Sequence, residues 1–374
     1  MRTVIGLMTG TSIDGLDAAA VRLEGAGLDL RARFLAHEHA PLGDLSLTLR
    51  ALASGERMAA GDIAAAALAL GELHASLAAS LAKRVGAPAL VAAHGQTIFH
   101  SPPRSWQLLN PAPIGARLRC PVVCDLRAAD LARGGQGAPI TPIADFIFLR
   151  DEAEPRAVVN LGGFCNITTL PDRQGRTLEA WLGAVRGRDV CACNHILDAV
   201  ARRALLAPYD ESGAAASRGA PNTLAAEDLA GILQDQSRAA RSLGTGDESL
   251  DWLDRHADAL APDDLAATAA KAVGEVIGRA ARAADPAPAR VLVAGGGAHH
   301  LTLVEHIARA AGAPTEPTDD LGLPIAAREA AEIAVLGALC ADGVPITLPA
   351  VTGAPPPAPL SGAWSNCTPR LPTP

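Results

Sequence analysis

Residues 2–23 read as strand, tight turn, strand. Val4, Ile5, Leu7 and Met8 are apolar, Gly10 to Gly15 carries turn chemistry, and residues 16–23 are apolar again. The same grammar returns about one domain length later, where Ala157-Val158-Val159-Asn160-Leu161 leads into Gly162-Gly163 and on to Thr169. A pattern that restarts at this distance is what a duplicated domain leaves in a sequence. Strands and helices alternate after each hairpin. The first half shows a helix over 57–84 and short strands at 89–93 and 121–124. The second shows a polar turn and helix within 182–206, a helix over 260–284, a strand at 290–294, and helices at 302–311 and 324–340. The expectation is an α/β protein of two similar domains, residues 1–150 and 151–341. A tail over 342–374 follows, proline-rich and irregular from Leu348 onward. A cleft between two such domains is the expected ligand site.

Composition narrows the function classes. The chain has 374 residues, enough for two domains at ~100–200 residues each. At 49% hydrophobic residues each half can bury a core, and 19% charged residues argue against disorder. A formal net charge of -8 speaks against a nucleic-acid surface. It leaves room for a phosphorylated ligand, because backbone amides and a metal ion hold phosphates without many lysines. Seven scattered cysteines, with no leader-like N-terminus, suggest free thiols in a reducing compartment. No uninterrupted apolar stretch reads as long enough to span a bilayer, so a cytoplasmic location without membrane partners is expected.

Gly10-Thr11-Ser12-Ile13-Asp14-Gly15-Leu16-Asp17 is the first chemical signal. Its glycines let the backbone bring N–H groups to a phosphate, Thr11 and Ser12 add hydroxyl donors, and Asp14 or Asp17 suits a hydrated Mg²⁺. The same residues also suit a capped hairpin turn. Gly162-Gly163, flanked by Asn160 and Asn166, gains weight by repeating that turn in the second half. Gly295-Gly296-Gly297 follows a strand and precedes a helix, an arrangement that offers close backbone to a nucleotide. His94-Gly95-Gln96-Thr97 follows a buried strand. Asp125-Leu126-Arg127-Ala128-Ala129-Asp130 and the loop 134–139 place carboxylate, guanidinium and glycines at a strand end, where a sugar is best held. Cys191-Ala192-Cys193 with His195 lacks zinc-finger spacing.

Taken together these blocks resemble the anhydro-N-acetylmuramic acid kinase family. Its GTSxDGxD pattern is met at residues 10–17 and its HGQT at 94–97. DFRxxD and GGQGAP are met across 125–139, with Leu126 for Phe, and NxGGxxNIT at 160–168. GGGAHN is met at 295–300 with His300 for Asn, EAxxxA at 329–334, and LPxVTGA at 348–354. The resemblance runs from about residue 3 to 354 and implies the actin-like two-domain fold. It also implies ATP and Mg²⁺ as cofactors, a homodimer, and a place in cell-wall recycling. Water opens the 1,6-anhydro ring while ATP phosphorylates O6. The implied base is Asp189. The implied ATP contacts are Gly10, Thr11, Ser12, Ile13, Asp14, Gly15, Leu16, Asp17, Gly162, Gly163, Asn166, Gly295, Gly296 and Gly297. Arg127 and Glu329 match sugar-facing positions, and Gln96 and Asp130 complete that set. Two segments depart from the family pattern: 189–194 reads Asp-Val-Cys-Ala-Cys-Asn in place of DTGPGN, and 241–246 reads Arg-Ser-Leu-Gly-Thr-Gly in place of KSTGRE. Two other readings stand beside this one: a kinase on a related anhydrosugar such as levoglucosan, and a paralogue that binds sugar or nucleotide without catalysis.

Overall fold

Val4, Ile5 and Leu7 have no exposed surface, so β1 (Arg2–Thr9) is a central strand covered on both faces, as its unbroken apolar run requires. The computed structural model describes residues 1–10, 12–239, 243, 244 and 246–365. Thr11, Arg241, Ser242 and Thr245, all singled out in the sequence, lie outside the described residues. The chain divides into two units, residues 1–148 with 327 onward, and residues 149–326.

In the first unit β1 pairs antiparallel with β2 (Gly15–Glu24), and β2 with β3 (Arg31–Pro41). On its other side β1 runs parallel to β4 (Leu90–Ala93). The hairpin β5 (Gln96–Ser101) and β6 (Arg104–Leu108) stands apart, and β7 (Val122–Cys124) joins β4 in parallel. The sheet order is therefore 3-2-1-4-7. The second unit repeats it. β8 (Arg156–Leu161), β9 (Phe164–Leu170) and β10 (Arg186–Ala192) form an antiparallel meander, and β8 then pairs in parallel with β11 (Arg290–Ala294), which pairs with β12 (Thr315–Pro317). Two copies of this mixed five-strand order make the fold actin-like. A short strand β13 (Ala363–Ser365) extends the first sheet beside β7.

The helix Arg328–Ala341 shows which unit the C-terminal segment completes. The sequence groups it with the second half, but it lies on β1, β2 and β4. A Cβ added at Gly6 would overlap the Ala330 carbonyl oxygen and the Ala334 nitrogen, so strand and helix touch backbone to backbone. The tail is also more regular than its prolines suggest, with a helix at Pro349–Thr352 and the strand β13. The polar stretch around 186–192 is the strand β10 and not a turn.

Helix Ala60–Val85 revises a further expectation. An 18-residue window in it reaches a mean hydropathy of 1.4, so by length and composition it could cross a bilayer. In this fold its Leu70, Leu77 and Leu81 are buried in the first unit. In the second unit, helices Pro262–Arg282 and Leu301–Ala311 pack closely through Gly274 and Gly278, where an added Cβ would meet His306 Cβ or Ile307 O at 2.5 Å.

A charged group is buried under helix Arg328–Ala341. Arg328 pairs with Asp145 and, at 2.8 Å, with Glu332, and both acids have no exposed surface. One guanidinium cannot offset two buried carboxylates. Burial, reinforced by Asp145, holds the Glu332 carboxyl well above its ordinary range against the opposing pull of Arg328. A raised folded-state value means the folded chain keeps a proton that the unfolded chain releases. The associated stability is complete below the unfolded value, about 4.3, and is lost as pH rises toward the folded value. The Glu332→Gln variant cannot lose this proton. Its thermal midpoint relative to the native chain is expected to climb between about pH 5 and pH 8, and melting curves across that range check this.

Candidate active site

In the first unit the turn after β1 closes with Ile13 N–H donating to Gly10 O at 3.3 Å. Ile13 takes φ +53° with its side chain buried. Ser12 Oγ donates to Asp14 Oδ1 at 2.8 Å. Gly15 has no Cβ because one there would enter the His39 ring. Asp17 lies further along β2, with Oδ1 at 2.8 Å from His37 Nε2 and 3.0 Å from His39 Nδ1. Among the described residues no cluster of three or more His, Cys, Asp or Glu could hold a metal ion. Mg²⁺ at a phosphate commonly takes only one or two carboxylates with water, a demand that exposed Asp14 meets.

Arg127 follows β7 at the strand end. Its Nε donates to His94 Nε2 at 2.9 Å and its Nη1 to Gly137 O at 2.7 Å. Nη2 has no hydrogen-bond partner among the described residues. His94 Nδ1 lies 3.0 Å from Gly95 O, so the ring proton sits on Nδ1 and Nε2 is left to accept from Arg127. Burial first, and then the Arg127 charge, lower His94 to about 3 and keep the ring neutral. Burial brings Arg127 down to about 10 against the opposing effect of Glu329. The Glu329 carboxyl is raised by burial, with Arg328 and Arg127 pulling it down and Asp17 pushing it up. Arg127, Glu329 and Asp17 thus share one electrostatic neighbourhood.

Two residues expected to face sugar take inward positions. Asp130 has no exposed surface. Its Oδ2 accepts from Gly137 N–H and its Oδ1 from the Thr352 hydroxyl, both at 2.8 Å. With both oxygens engaged inside the fold, Asp130 anchors the loop whose Gly137 carbonyl holds Arg127. Gln96 is likewise fully buried, and its Nε2 donates to Gly10 O at 3.2 Å and Thr97 O at 3.3 Å. It ties the first glycine turn to the HGQT segment.

In the second unit three motifs converge at the carboxyl ends of β8 and β11. The Gly163 carbonyl accepts from Cys193 N–H at 2.9 Å and His195 N–H at 3.2 Å. The Gly162 carbonyl accepts from Asn194 N–H at 3.0 Å. Asn194 Nδ2 donates to Leu161 O at 2.9 Å. The glycine carbonyls are thus engaged, while the N–H groups of Gly162, Gly163, Gly296 and Gly297 have no acceptor among the described residues. Gly295, at φ +78°, brings the third motif against this hairpin. A Cβ there would lie 2.8 Å from Asn160 Oδ1, and one at Gly297 2.7 Å from Asn194 Oδ1. A cavity of about 500 Å³ opens beside them, lined among others by Asn194, Tyr209, Asp210, Gly296, Gly297 and His300, a volume that suits a small organic ligand. His300 caps helix Leu301–Ala311 by accepting Leu303 N–H on Nδ1 at 3.1 Å, the work an Asn does at such a position. Burial lowers its pKa, which preserves Nδ1 as an acceptor.

Strand register then places the acid. Asn166 lies opposite Asn160 on one side and Asp189 on the other. Directly opposed residues share a face of the sheet, so Asp189, Asn166 and Asn160 form one polar row that ends beside Gly295. Burial raises the Asp189 carboxyl above its usual range, and the Leu243 N–H, donating to Oδ2 at 2.9 Å, opposes this. The altered segment after Asp189 fits the fold. Val190 forms a bulge, Cys191 and Cys193 are fully buried, and neither cysteine takes a positive φ, with Cys193 at -130°. The backbone therefore needs no glycine at either position. Nothing in residue spacing pointed to Asn194 as the link between the two glycine turns; its contacts depend on the folded arrangement.

Residues 2–365 match the sequence profile of the family described as anhydro-N-acetylmuramic acid kinase. The anhydro-N-acetylmuramic acid kinase of Salinibacter ruber (strain DSM 13855 / M31) is 37% identical over 380 residues, covering 94% of each chain. That of Synechococcus elongatus (strain ATCC 33912 / PCC 7942 / FACHB-805) is 34% identical over 384 residues, covering 97% of this chain and 99% of the relative. That of Bordetella parapertussis (strain 12822 / ATCC BAA-587 / NCTC 13253) is 35% identical over 373 residues, covering 94% and 93%. On this match along nearly its whole length, the chain belongs to the anhydro-N-acetylmuramic acid kinase family.

Proposed function

We propose that this protein is an ATP-dependent kinase acting on 1,6-anhydro-N-acetylmuramic acid. It adds water across the anhydro bridge and phosphorylates O6, giving N-acetylmuramic acid 6-phosphate and ADP. The observation that carries the reading is the row Asp189, Asn166, Asn160, with a half-buried acid at one end and, at the other, Asn160 next to Gly295. Asp189 takes a proton from the attacking water. The water oxygen bonds to C1 as the C1–O6 bond breaks, and O6 attacks the γ-phosphorus as ADP leaves. A carboxyl that burial raises above its ordinary range is a stronger base than an exposed one. The N–H groups of Gly162, Gly163, Gly296 and Gly297 serve the phosphates. In the first unit, Ser12, Asp14 and the first glycine turn carry donors and ligands of the same kind. Mg²⁺, when bound through Asp14 or Asp17, offsets phosphate charge. Arg127 and Glu329 hold the sugar, and Asp130, Gln96 and His94 keep Arg127 and the first turn in place. A place in cell-wall recycling, a cytoplasmic location and a homodimer go with this reading, as the family resemblance implies.

The test is incubation with Mg-ATP and the anhydrosugar, followed by assay of ADP and sugar phosphate, with levoglucosan in parallel. Turnover with levoglucosan alone transfers the activity to that substrate class. No ADP with either sugar overturns the proposal. Arg127→Lys cannot keep the fork that reaches His94 and Gly137 while also offering a donor to sugar. Its KM for sugar is expected to rise about tenfold or more, with KM for ATP nearly unchanged.

A further inference from the structure

We propose that Gln236 is a positioning residue for Asp189, joining the strand that carries the acid to the segment that hydrogen-bonds it. The proposal rests on the reading of Asp189 as the base. Gln236 sits on helix Thr223–Arg238 and is partly buried. Its Oε1 accepts the Ala192 N–H at 2.9 Å, three residues beyond Asp189 on β10. Its Nε2 donates to the Asp247 carbonyl at 2.7 Å and to Ser249 Oγ at 3.1 Å. The orientation of the amide follows from its partners, since a backbone N–H only donates and a carbonyl only accepts. One side chain thus spans two pieces of backbone.

The second piece reaches back to the acid. Gly244 N–H donates to Asp247 Oδ2 at 3.0 Å, and Leu243 N–H donates to Asp189 Oδ2 at 2.9 Å. The Asp247 backbone held by Gln236 is therefore tied, through Gly244, to the residue that supplies the Asp189 bond. β10 is an edge strand with a bulge immediately after Asp189. It has ladder bonds on one side only, and Gln236 supplies a bond to Ala192 from outside the sheet. Losing the amide frees the backbone at Asp247 and the side chain of Ser249, and weakens the Leu243 N–H bond to the carboxylate. That bond favours the ionised acid, so its loss raises the acid's titration point.

Asp247 is the other carboxylate in this network and accepts the Gly244 N–H; the groups beside Asp189 on β9 and β10 are an arginine and two thiols. Arg188, its neighbour on β10, is bonded to Ser237 Oγ and Ala280 O. The thiols of Cys165 on β9 and Cys191 on β10 are raised by burial, the latter to about 12. Neither thiol titrates where a carboxylate limb falls.

The experiment compares kcat against pH for the native protein, Gln236→Met and Gln236→Glu, with melting temperatures for each. Gln236→Met loses all three bonds at nearly constant volume. Gln236→Glu keeps an acceptor for Ala192 but has no donor for Asp247 or Ser249. Both are expected to lower kcat about tenfold and move the acid limb to higher pH, with KM for sugar and ATP within about threefold of native. A native limb and native kcat in both variants overturns the proposal. So does a lower kcat with an unmoved limb that tracks a lower melting temperature, because that describes a purely structural residue. Asp189→Asn separates the two ideas. If that variant keeps native turnover, the base assignment fails whatever Gln236 does; if it is inactive while the Gln236 limbs stay native, only the positioning role fails.

Discussion

Asp189→Asn is expected to lower turnover by about 10²- to 10⁴-fold while leaving sugar and ATP affinity within a few-fold. Asn has the same shape, and its Oδ1 can still accept the Leu243 N–H that reaches Asp189 Oδ2, so β10 and its register should stay in place. What is lost is the capacity to take a proton from water. In the native protein the rate should fall on acidification, with a midpoint above the ordinary carboxylate value because burial raises Asp189. The check is steady-state ADP release with calorimetric binding of each substrate. A variant that retains a tenth or more of native turnover removes Asp189 from the mechanism.

Gly6→Val carries the largest expected cost in stability, about 3 kcal/mol or more. An added Cβ meets the backbone of helix Arg328–Ala341 at Ala330 and Ala334, and backbone atoms of a packed helix have no rotamer to give way. The helix must move from β1, taking with it Glu329 and the buried ion pair of Arg328 with Asp145. Activity should fall together with stability, since Glu329 shares its surroundings with Arg127. Gly231→Ala is the control. It lies in helix Thr223–Arg238 with nothing within 4 Å of an added Cβ, so it should gain about 1 kcal/mol from helix propensity alone. Chemical denaturation of both variants gives the comparison. Equal midpoints for Gly6→Val and the native chain would mean that the close approach of helix and strand is wrong.

Sequence and structure divide the account unevenly. The hairpins at 10–15 and 162–163, the strand before Gly295 and the long alanine-rich helices could be read directly, because each is written in neighbouring residues through apolar period and glycine placement. The duplicated order was visible in outline for the same reason. β3 and β10 were not. They are edge strands, and their exposed arginines and histidines dilute the alternation that marks a strand. The direction in which a polar side chain points was also hidden. Asp130 and Gln96 have the residue types of a sugar site, yet both are buried, and Asp130 is satisfied by Thr352, 222 positions away. The register that sets Asp189 beside Asn166 is fixed only when β9 and β10 pair, and the bridge through Gln236 spans 44 residues. Residue order by itself determined the local elements, the glycine turns and the family. Tertiary structure alone decided which acids face inward, which unit the C-terminal helix completes and how the acid is supported, because those outcomes depend on hydrogen bonds and packing between residues far apart in the chain.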